Sequence, residues 1–117
     1  MTVLALVDDL LFRSKLETAA AHIGVELYAA SDVSVWHQAA SGVLWQLVII
    51  DLNLAASDPL NGIREIRAHA PTLPIIGYCS HGQVDLQAQA KEAGCTSVLS
   101  RSALVQQLPQ LLQAVQQ

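Results

Sequence analysis

The sequence opens with the apolar run VLALV at residues 3–7, which ends at the acidic pair Asp8-Asp9. A second run, LVII at residues 47–50, ends at Asp51, and a third, PIIGYC, covers residues 74–79. Short apolar runs with β-branched residues and polar boundaries predict strands that are buried on both faces. Such burial is typical of a parallel sheet covered by helices, so the runs predict the centre of an α/β sheet.

Five helices are predicted between and after the strands. Apolar residues at helical spacing place them at about residues 11–23, 31–42, 58–70, 84–93 and 104–115. Gly24 is a natural C-cap for the first helix, and Asp58 with Pro59 at the first helical position can start the third. Pro109 has no backbone N–H, so we expect the last helix to begin late, with this proline in its first turn.

Strand and helix alternate along the whole chain, with weaker strand candidates at residues 25–29 and 97–99 completing the series. Such alternation predicts a doubly wound parallel sheet, and right-handed crossovers place helices on both of its faces. We therefore predict a flavodoxin-like α/β fold whose five parallel strands have the order 2-1-3-4-5. The length of 117 residues fits one domain, which we expect to span residues 1–117.

The composition excludes several classes of protein. The net charge is −4 and the six basic residues are scattered, which argues against a nucleic-acid partner. No apolar run approaches the ~18 residues that a membrane span needs, and the first residues lack the basic segment of a signal peptide. Cys79 and Cys95 form neither a disulfide framework nor a zinc motif. We expect a cytoplasmic protein that binds neither nucleic acid nor membrane.

Three carboxylates fall at the carboxyl ends of two strands that the predicted order makes neighbours. Asp8 and Asp9 follow the first strand and Asp51 follows the third, at the edge where open α/β sheets bind ligands. Carboxylates that repel one another favour a cation among them, and hard oxygen ligands in an open site suit Mg²⁺. A carboxylate beside such a metal can also attack phosphorus and form an aspartyl phosphate. One strand-end aspartate usually only caps a helix or starts a turn, but the three together favour a functional site.

These residues resemble the receiver domain of two-component response regulators over nearly the whole chain. Asp8 and Asp9 match the acidic pair of the family, and Asp51 matches its phospho-accepting aspartate. Further matches are Asn53 two residues later, Asp58 in the loop, Leu60 and Ile66-Arg67 in the next helix, LPII at residues 73–76, and Ala93-Gly94. The resemblance implies a CheY-like fold, a phosphoryl group on Asp51 and a Mg²⁺ cofactor, whose protein ligands are Asp8, Asp9, Asp51 and the backbone carbonyl of Asn53.

Five positions depart from the pattern of the family, one of them Ser102, which stands where the family has a proline after the fifth strand. The switch Thr or Ser after the fourth strand is Cys79, a poor hydrogen-bond donor, although Ser80 is adjacent. The lysine after the fifth strand is Arg101, which keeps the positive charge in a planar fork. The glycine of the loop after the third strand is Pro59, and the switch aromatic of the fifth strand is Val98. The metal-binding and accepting acids are kept, whereas the residues that sense the phosphoryl group are altered.

The favoured interpretation is a stand-alone, atypical receiver-like signalling module of a two-component phosphorelay, which is not itself an enzyme. Arg101 would contact the phosphoryl group, and Cys79 or Ser80 would occupy the switch position. The partner would be a sensor histidine kinase or another signalling protein. The face formed by the fourth helix, fifth strand and fifth helix is a candidate surface for partners or for a homodimer. Two alternatives remain open: a pseudo-receiver that binds a partner independently of phosphorylation, and a small-molecule or redox sensor that uses Cys79.

Overall fold

The computed structural model describes residues 2–36, 45–55 and 57–116. The strands are β1 (Thr2–Leu6), β2 (Glu26–Ala30), β3 (Trp45–Asp51), β4 (Ile75–Cys79) and β5 (Ser97–Ser100). The helices with described bounds are α1 (Leu10–Ile23), α2 (Pro59–His69), α3 (Val84–Ala93) and α4 (Arg101–Gln116). Within these ranges, no helix has both the length and the apolar character needed to cross a membrane.

The strands form one parallel sheet in the order β2-β1-β3-β4-β5, which confirms the predicted order 2-1-3-4-5. All residues of β1 and β4 are buried, whereas the two edge strands are only partly buried. The central runs are continuously apolar because both of their faces are covered. The doubly wound α/β class is therefore confirmed.

Two hydrophobic clusters lie on opposite faces of the sheet. On one face, Val3 and Ala5 of β1 pack with Leu16 of α1 and Leu104 of α4. On the other, Leu4 and Leu6 pack with Ile63 and Ile66 of α2 and with Ala90 and Ala93 of α3. Alternate residues of the same strand thus point to different clusters, and the carboxyl edge of the sheet is left open between the layers.

Side-chain caps start the helices near that edge. Asp9 is the N-cap of α1, and its Oδ1 accepts hydrogen bonds from the N–H groups of Leu11 at 2.9 Å and Phe12 at 3.2 Å. Asp58 caps α2 through Asn61, with Pro59 in the first turn as predicted. At the far end of α1, Gly24 has φ 89°, the left-handed conformation of a C-cap glycine.

The predicted start of the last helix was wrong. The helix α4 begins at Arg101, directly after β5, and Pro109 lies in its interior. Ser100 Oγ accepts a hydrogen bond from the Ala103 N–H at 3.2 Å, so this serine caps the early start. Leu104, Leu108 and Leu112 are buried along one face, and that packing compensates for the backbone hydrogen bond that the exposed proline cannot make.

The second half of the predicted second helix lies outside the described residues, because the structure does not describe residues 37–44. Before the gap, Asp32 Oδ1 accepts a hydrogen bond from the Ser34 N–H at 2.9 Å, the contact of a residue that caps the start of a helix. Trp36 and Trp45, on either side of the gap, are 7% and 8% exposed, which places both side chains in the core.

Candidate functional site

The three carboxylates lie at the carboxyl edge of the sheet, where β1 and β3 are neighbours. Asp51 is the last residue of β3 and is 6% exposed, whereas Asp8 and Asp9 lie between β1 and α1. Asp51 Oδ1 accepts a hydrogen bond from the Asn53 N–H at 2.8 Å. Asp8 Oδ2 accepts one from the Ala55 N–H at 3.3 Å, which joins the loop after β1 to the loop after β3.

The charge of Asp51 is poorly compensated. Burial raises the pKa of its carboxyl above the ordinary value, and the negative charges of Asp8 and Asp9 also raise it. The Asn53 N–H hydrogen bond and the positive charge of Arg101 lower this pKa, but the net direction is upward. An additional cation among the carboxylates would stabilise the ionised form of Asp51.

One oxygen of Asp51 is available for chemistry. Its Oδ1 is held by the Asn53 N–H, and none of the described residues donates a hydrogen bond to its Oδ2. A carboxylate that is fixed through one oxygen keeps the other in a defined orientation. Asp51 can therefore present Oδ2 as a nucleophile or as a metal ligand.

Asp9 has partners on both of its carboxylate oxygens. Its Oδ1 caps α1, and its Oδ2 accepts a hydrogen bond from Arg101 Nη1 at 3.1 Å. The pKa of Asp9 is lowered, mainly by the hydrogen bond from the Phe12 N–H and further by those from Leu11 and Arg101, against an opposing effect of burial. Asp9 is thus an ionised group that is already neutralised by a side chain of this protein.

Arg101 is held by two aromatic rings as well as by Asp9. Its guanidinium carbon lies 4.8 Å from the centre of the Phe12 ring and 5.8 Å from that of Tyr78. The two rings are 4.9 Å apart with an angle of 45° between their planes. These distances are typical of cation–π contacts and of a tilted aromatic pair. We call Phe12 and Tyr78 the aromatic pair.

A pair of amide side chains joins the loops after β3 and β4. Asn53 Nδ2 donates to Gln83 Oε1 at 2.9 Å, and Gln83 Nε2 donates back to Asn53 Oδ1 at 3.0 Å. Gln83 Oε1 also accepts a hydrogen bond from the Ser80 N–H at 2.9 Å. We call this arrangement the amide clamp. Its contacts with Gln83 use the side chain of Asn53 and not the backbone carbonyl of that residue.

The two candidates for the switch position differ in exposure. Cys79 ends β4 and is 3% exposed, on the face that α2 and α3 cover. Burial raises the pKa of its thiol, and the charge of Asp51 acts in the same direction, whereas Gln87 lowers it. A thiol that is harder to ionise is less reactive toward oxidants. Ser80 is exposed, next to the acidic site.

The donors at this edge fit a magnesium ion that keeps much of its water. Among the described residues, no three His, Cys, Asp or Glu side chains could hold a metal ion as they stand. The oxygens that are present are those of Asp8, Asp51 and the Asn53 carbonyl, together with Asp9 if Arg101 moves. Hard oxygen donors, few in number and open to solvent, suit Mg²⁺, which usually retains several waters.

Two cavities of similar size lie at opposite edges of the sheet. One of about 850 Å³ adjoins the acidic site and is lined, among others, by Asp9, Cys79, Ser80, His81 and Arg101. The other, of about 880 Å³, is lined by Trp36, Trp45, Leu73, Val115 and other residues, and none of its described lining residues is acidic. The acidic residues are therefore associated with the first cavity and not with the second.

Three residues of the site were not predicted from the sequence: Phe12, Tyr78 and Gln83. Phe12 and Tyr78 are apolar or aromatic residues on buried positions of α1 and β4, and their spacing indicates only core packing. Gln83 lies 30 residues after its partner Asn53. No local signal points to such a contact, because it depends on the pairing of β3 with β4.

The family model that matches this chain is the response regulator receiver domain, over residues 3–115. No curated protein matches the sequence. The matched range includes every candidate site residue from Asp8 to Arg101.

Solved structures have the same fold at low sequence identity. The receiver domain of NtrX from Brucella abortus is 22% identical, with 97% of this chain and 96% of that chain covered and a TM-score of 0.83. The chemotaxis response regulator CheY4 of Vibrio cholerae is 21% identical, with 97% of each chain covered and a TM-score of 0.82. In a longer NtrX structure from Brucella abortus, this chain covers only 27% of the other chain, at 21% identity and a TM-score of 0.82.

Proposed function

Because the chain belongs to the response regulator receiver domain family, we propose that it is a module of a two-component phosphorelay that is phosphorylated on Asp51. Receiver domains of this kind are typical of two-component signalling. The observation that carries the proposal is the environment of Asp51: a buried carboxylate, held through Oδ1 and beside two further acids, with its Oδ2 free of described hydrogen bonds.

The proposed reaction is a transfer of a phosphoryl group between two side chains. Asp51 Oδ2 attacks phosphorus of a phosphohistidine on the kinase, the new O–P bond forms, and the P–N bond breaks with its electron pair going to the imidazole. The product on this chain is an acyl phosphate. The Asn53 N–H keeps Asp51 oriented by holding the oxygen that does not attack.

Magnesium is the cofactor that we assign to this site. Asp8, Asp51 and the Asn53 carbonyl would hold it, and Asp9 would join them once Arg101 has left Oδ2. When bound, the ion supplies positive charge between the carboxylates and the incoming phosphoryl oxygens. Such a charge would offset the burial and the acidic neighbours Asp8 and Asp9, all of which raise the pKa of Asp51.

Arg101 is the residue that we assign to the phosphoryl group itself. Its fork of donors can bind two phosphoryl oxygens, and its charge already acts on Asp51. Ser80 is the exposed hydroxyl after β4 and can donate to a phosphoryl oxygen, whereas the buried Cys79 thiol is a weak donor. We therefore place Ser80, and not Cys79, in contact with the phosphoryl group, with Cys79 at the adjacent switch position.

The proposed partners follow from this role. A sensor histidine kinase or another signalling protein in the cytoplasm would meet the open edge of the sheet, and the face of α3, β5 and α4 would carry the signal onward or form a homodimer. We also propose that residues 1–117 form a single receiver domain and that this domain is not an enzyme. No observation favours the pseudo-receiver or the small-molecule sensor, and the raised pKa of the Cys79 thiol disfavours redox sensing.

The test is a titration of the purified protein with Mg²⁺ and beryllofluoride, an analogue of the phosphoryl group, followed by amide NMR. We expect shifts at Asp9, Asp51, Ser80 and Arg101 that Asp51→Asn abolishes, because the analogue needs the carboxylate oxygen. Asp85→Asn, a change of the same kind on exposed α3, is the matched control and should behave as the wild type. No shift at millimolar ligand would contradict phosphorylation at Asp51.

A further inference from the structure

We propose that Arg101 is a resident counter-ion of the acidic site, which the aromatic pair holds against Asp9, so that Arg101 and Mg²⁺ compete for the Asp9 carboxylate. Phe12 is then a positioning residue: it acts on the metal only through Arg101. The proposal rests on the proposed function in one respect, since it takes Asp9 to be a ligand of the metal.

The place of Arg101 in the fold shows that it needs partners. It is the first residue of α4, and the amino end of a helix carries partial positive charge that repels a cation. Its side chain is 49% exposed, so burial does not hold it in position. The contacts that hold it are those with Asp9 Oδ2 at 3.1 Å and with the faces of Phe12 and Tyr78.

Asp9 offers only one oxygen to either cation. Its Oδ1 accepts from two backbone N–H groups at the start of α1, and moving it would leave the helix uncapped. Its Oδ2 is the oxygen that Arg101 binds. A metal ion that takes Oδ2 must displace the guanidinium or remain beside a like charge, so the two cations exclude each other.

The aromatic pair sets the strength of this competition. Phe12 belongs to the first turn of α1 and Tyr78 to β4, and both are nearly inaccessible, with 5% and 1% exposure. Their faces are therefore fixed before any ligand arrives. A planar guanidinium stacks on such faces more favourably than an ammonium does, which matches the arginine found at this position. Removing the Phe12 ring lowers the cost of moving Arg101, so Mg²⁺ should bind more tightly.

The experiment measures Mg²⁺ affinity alone, by amide NMR of the full chain without beryllofluoride. The variants are Phe12→Leu, Phe12→Tyr, Arg101→Gln and the double variant Phe12→Leu/Arg101→Gln. We expect the Kd for Mg²⁺ to fall about two- to five-fold in Phe12→Leu, the factor that corresponds to one exposed cation–π contact.

Phe12→Tyr keeps a ring face and should match the wild type. Arg101→Gln should bind Mg²⁺ at least as tightly as Phe12→Leu, and the double variant no more tightly than Arg101→Gln.

The direction of the change in Mg²⁺ affinity distinguishes the positioning role of Phe12 from a purely structural role of its ring. A pocket damaged by loss of a buried ring binds metal more weakly, whereas the proposal requires tighter binding. An unchanged or weaker affinity for Mg²⁺ in both Phe12→Leu and Arg101→Gln would overturn the proposal. So would an effect of Phe12→Leu on this affinity that is equally large in the wild type and in the Arg101→Gln background. If Phe12→Leu fails to fold, Arg101→Gln decides, since its side chain is half exposed.

The outcome is independent of phosphorylation. If Mg²⁺ binds as expected but beryllofluoride does not, the proposed function fails and the role of Arg101 stands. If beryllofluoride binds the wild type but Arg101→Gln leaves the Mg²⁺ affinity unchanged, the proposed function stands and the competition is refuted. If neither the wild type nor any variant binds Mg²⁺, Arg101 is not what keeps the metal out and the proposal is wrong.

Discussion

Asp51 is a single side chain whose charge opposes folding. It is 6% exposed, and burial together with Asp8 and Asp9 raises the pKa of its carboxyl. A carboxyl with a raised pKa in the folded state favours folding while it is protonated, below its unfolded pKa of about 3.9. That contribution is lost as the pH rises from the unfolded pKa through the pKa of the folded state, so Asp51 favours folding less at neutral pH than in acid.

We therefore predict that Asp51→Asn stabilises the protein at pH 7. The asparagine Oδ1 can still accept from the Asn53 N–H, while the buried charge is removed. The expected gain in the free energy of unfolding is about 1–3 kcal/mol, the range for burying an uncompensated polar group. Urea unfolding at several pH values checks it: the gain should shrink as the pH falls from 7 toward 4. A gain that is constant over this pH range would show that charge is not its cause.

Loops and helices around the site are connected by side chains, as the amide clamp shows. Gln83 precedes α3, and its Oε1 holds both the Asn53 side chain and the Ser80 N–H. The loop after β4 is therefore attached to the turn that follows Asp51. A shift of either loop on binding a phosphoryl group must break or move this clamp.

Gln83→Ala should loosen the loop after β4 without unfolding the protein. The variant loses both hydrogen bonds to Asn53 and the one to the Ser80 N–H. Loss of the last of these, worth about 1 kcal/mol, should make hydrogen exchange of the Ser80 amide about five-fold faster. Gln83→Glu keeps an acceptor for that amide and should stay close to the wild type. Gln89→Ala, on the exposed part of α3, is the control, and an equal acceleration in it would contradict a local role for Gln83.

The helix α4 contains a proline that costs stability. Pro109 lies in the interior of the helix and is exposed, so an alanine there restores a backbone hydrogen bond without disturbing the core. Pro109→Ala should raise the free energy of unfolding by up to about 3 kcal/mol, measured by urea denaturation. Gln110→Ala, at the exposed neighbouring position, should change the free energy of unfolding by only about a few tenths of a kcal/mol. A destabilised Pro109→Ala variant would mean that the proline is needed for the packing of α4.

Across the whole molecule, the site joins the sheet to the helical layer on one of its faces. Asp9 caps α1 and Arg101 starts α4, two helices on the same face of the sheet, and Asp51 ends the central strand β3. Any ligand that binds these residues together binds only the folded chain, since the unfolded chain separates them by up to 92 positions. Ligand binding must then raise the stability of the entire domain.

Mg²⁺ with beryllofluoride should raise the melting temperature of the wild type. At a ligand concentration one hundred times the Kd, the expected stabilisation is about 2.7 kcal/mol. Addition of EDTA should remove the increase, and Asp51→Asn should show none. Differential scanning calorimetry measures both, and an equal increase in Asp51→Asn would place the ligand elsewhere on the surface.

Sequence alone determined the fold class, the strand order and the edge at which the acids lie. The apolar runs of β1, β3 and β4 are local signals, and the strand-end positions of Asp8, Asp9 and Asp51 follow from them. The start of α4 was missed because the penalty of Pro109 is local, whereas the packing of Leu104, Leu108 and Leu112 that outweighs it is not.

Only the tertiary structure decided which side chains surround the acids. Arg101 contacts Asp9, Phe12 and Tyr78, and Gln83 contacts Asn53. The residues of these pairs are 23 to 92 positions apart in the sequence. Chain periodicity determines on which face a residue lies, because that depends on neighbours three or four positions away. It carries no information on which residues of different elements meet, since that depends on the packing of the layers against one another.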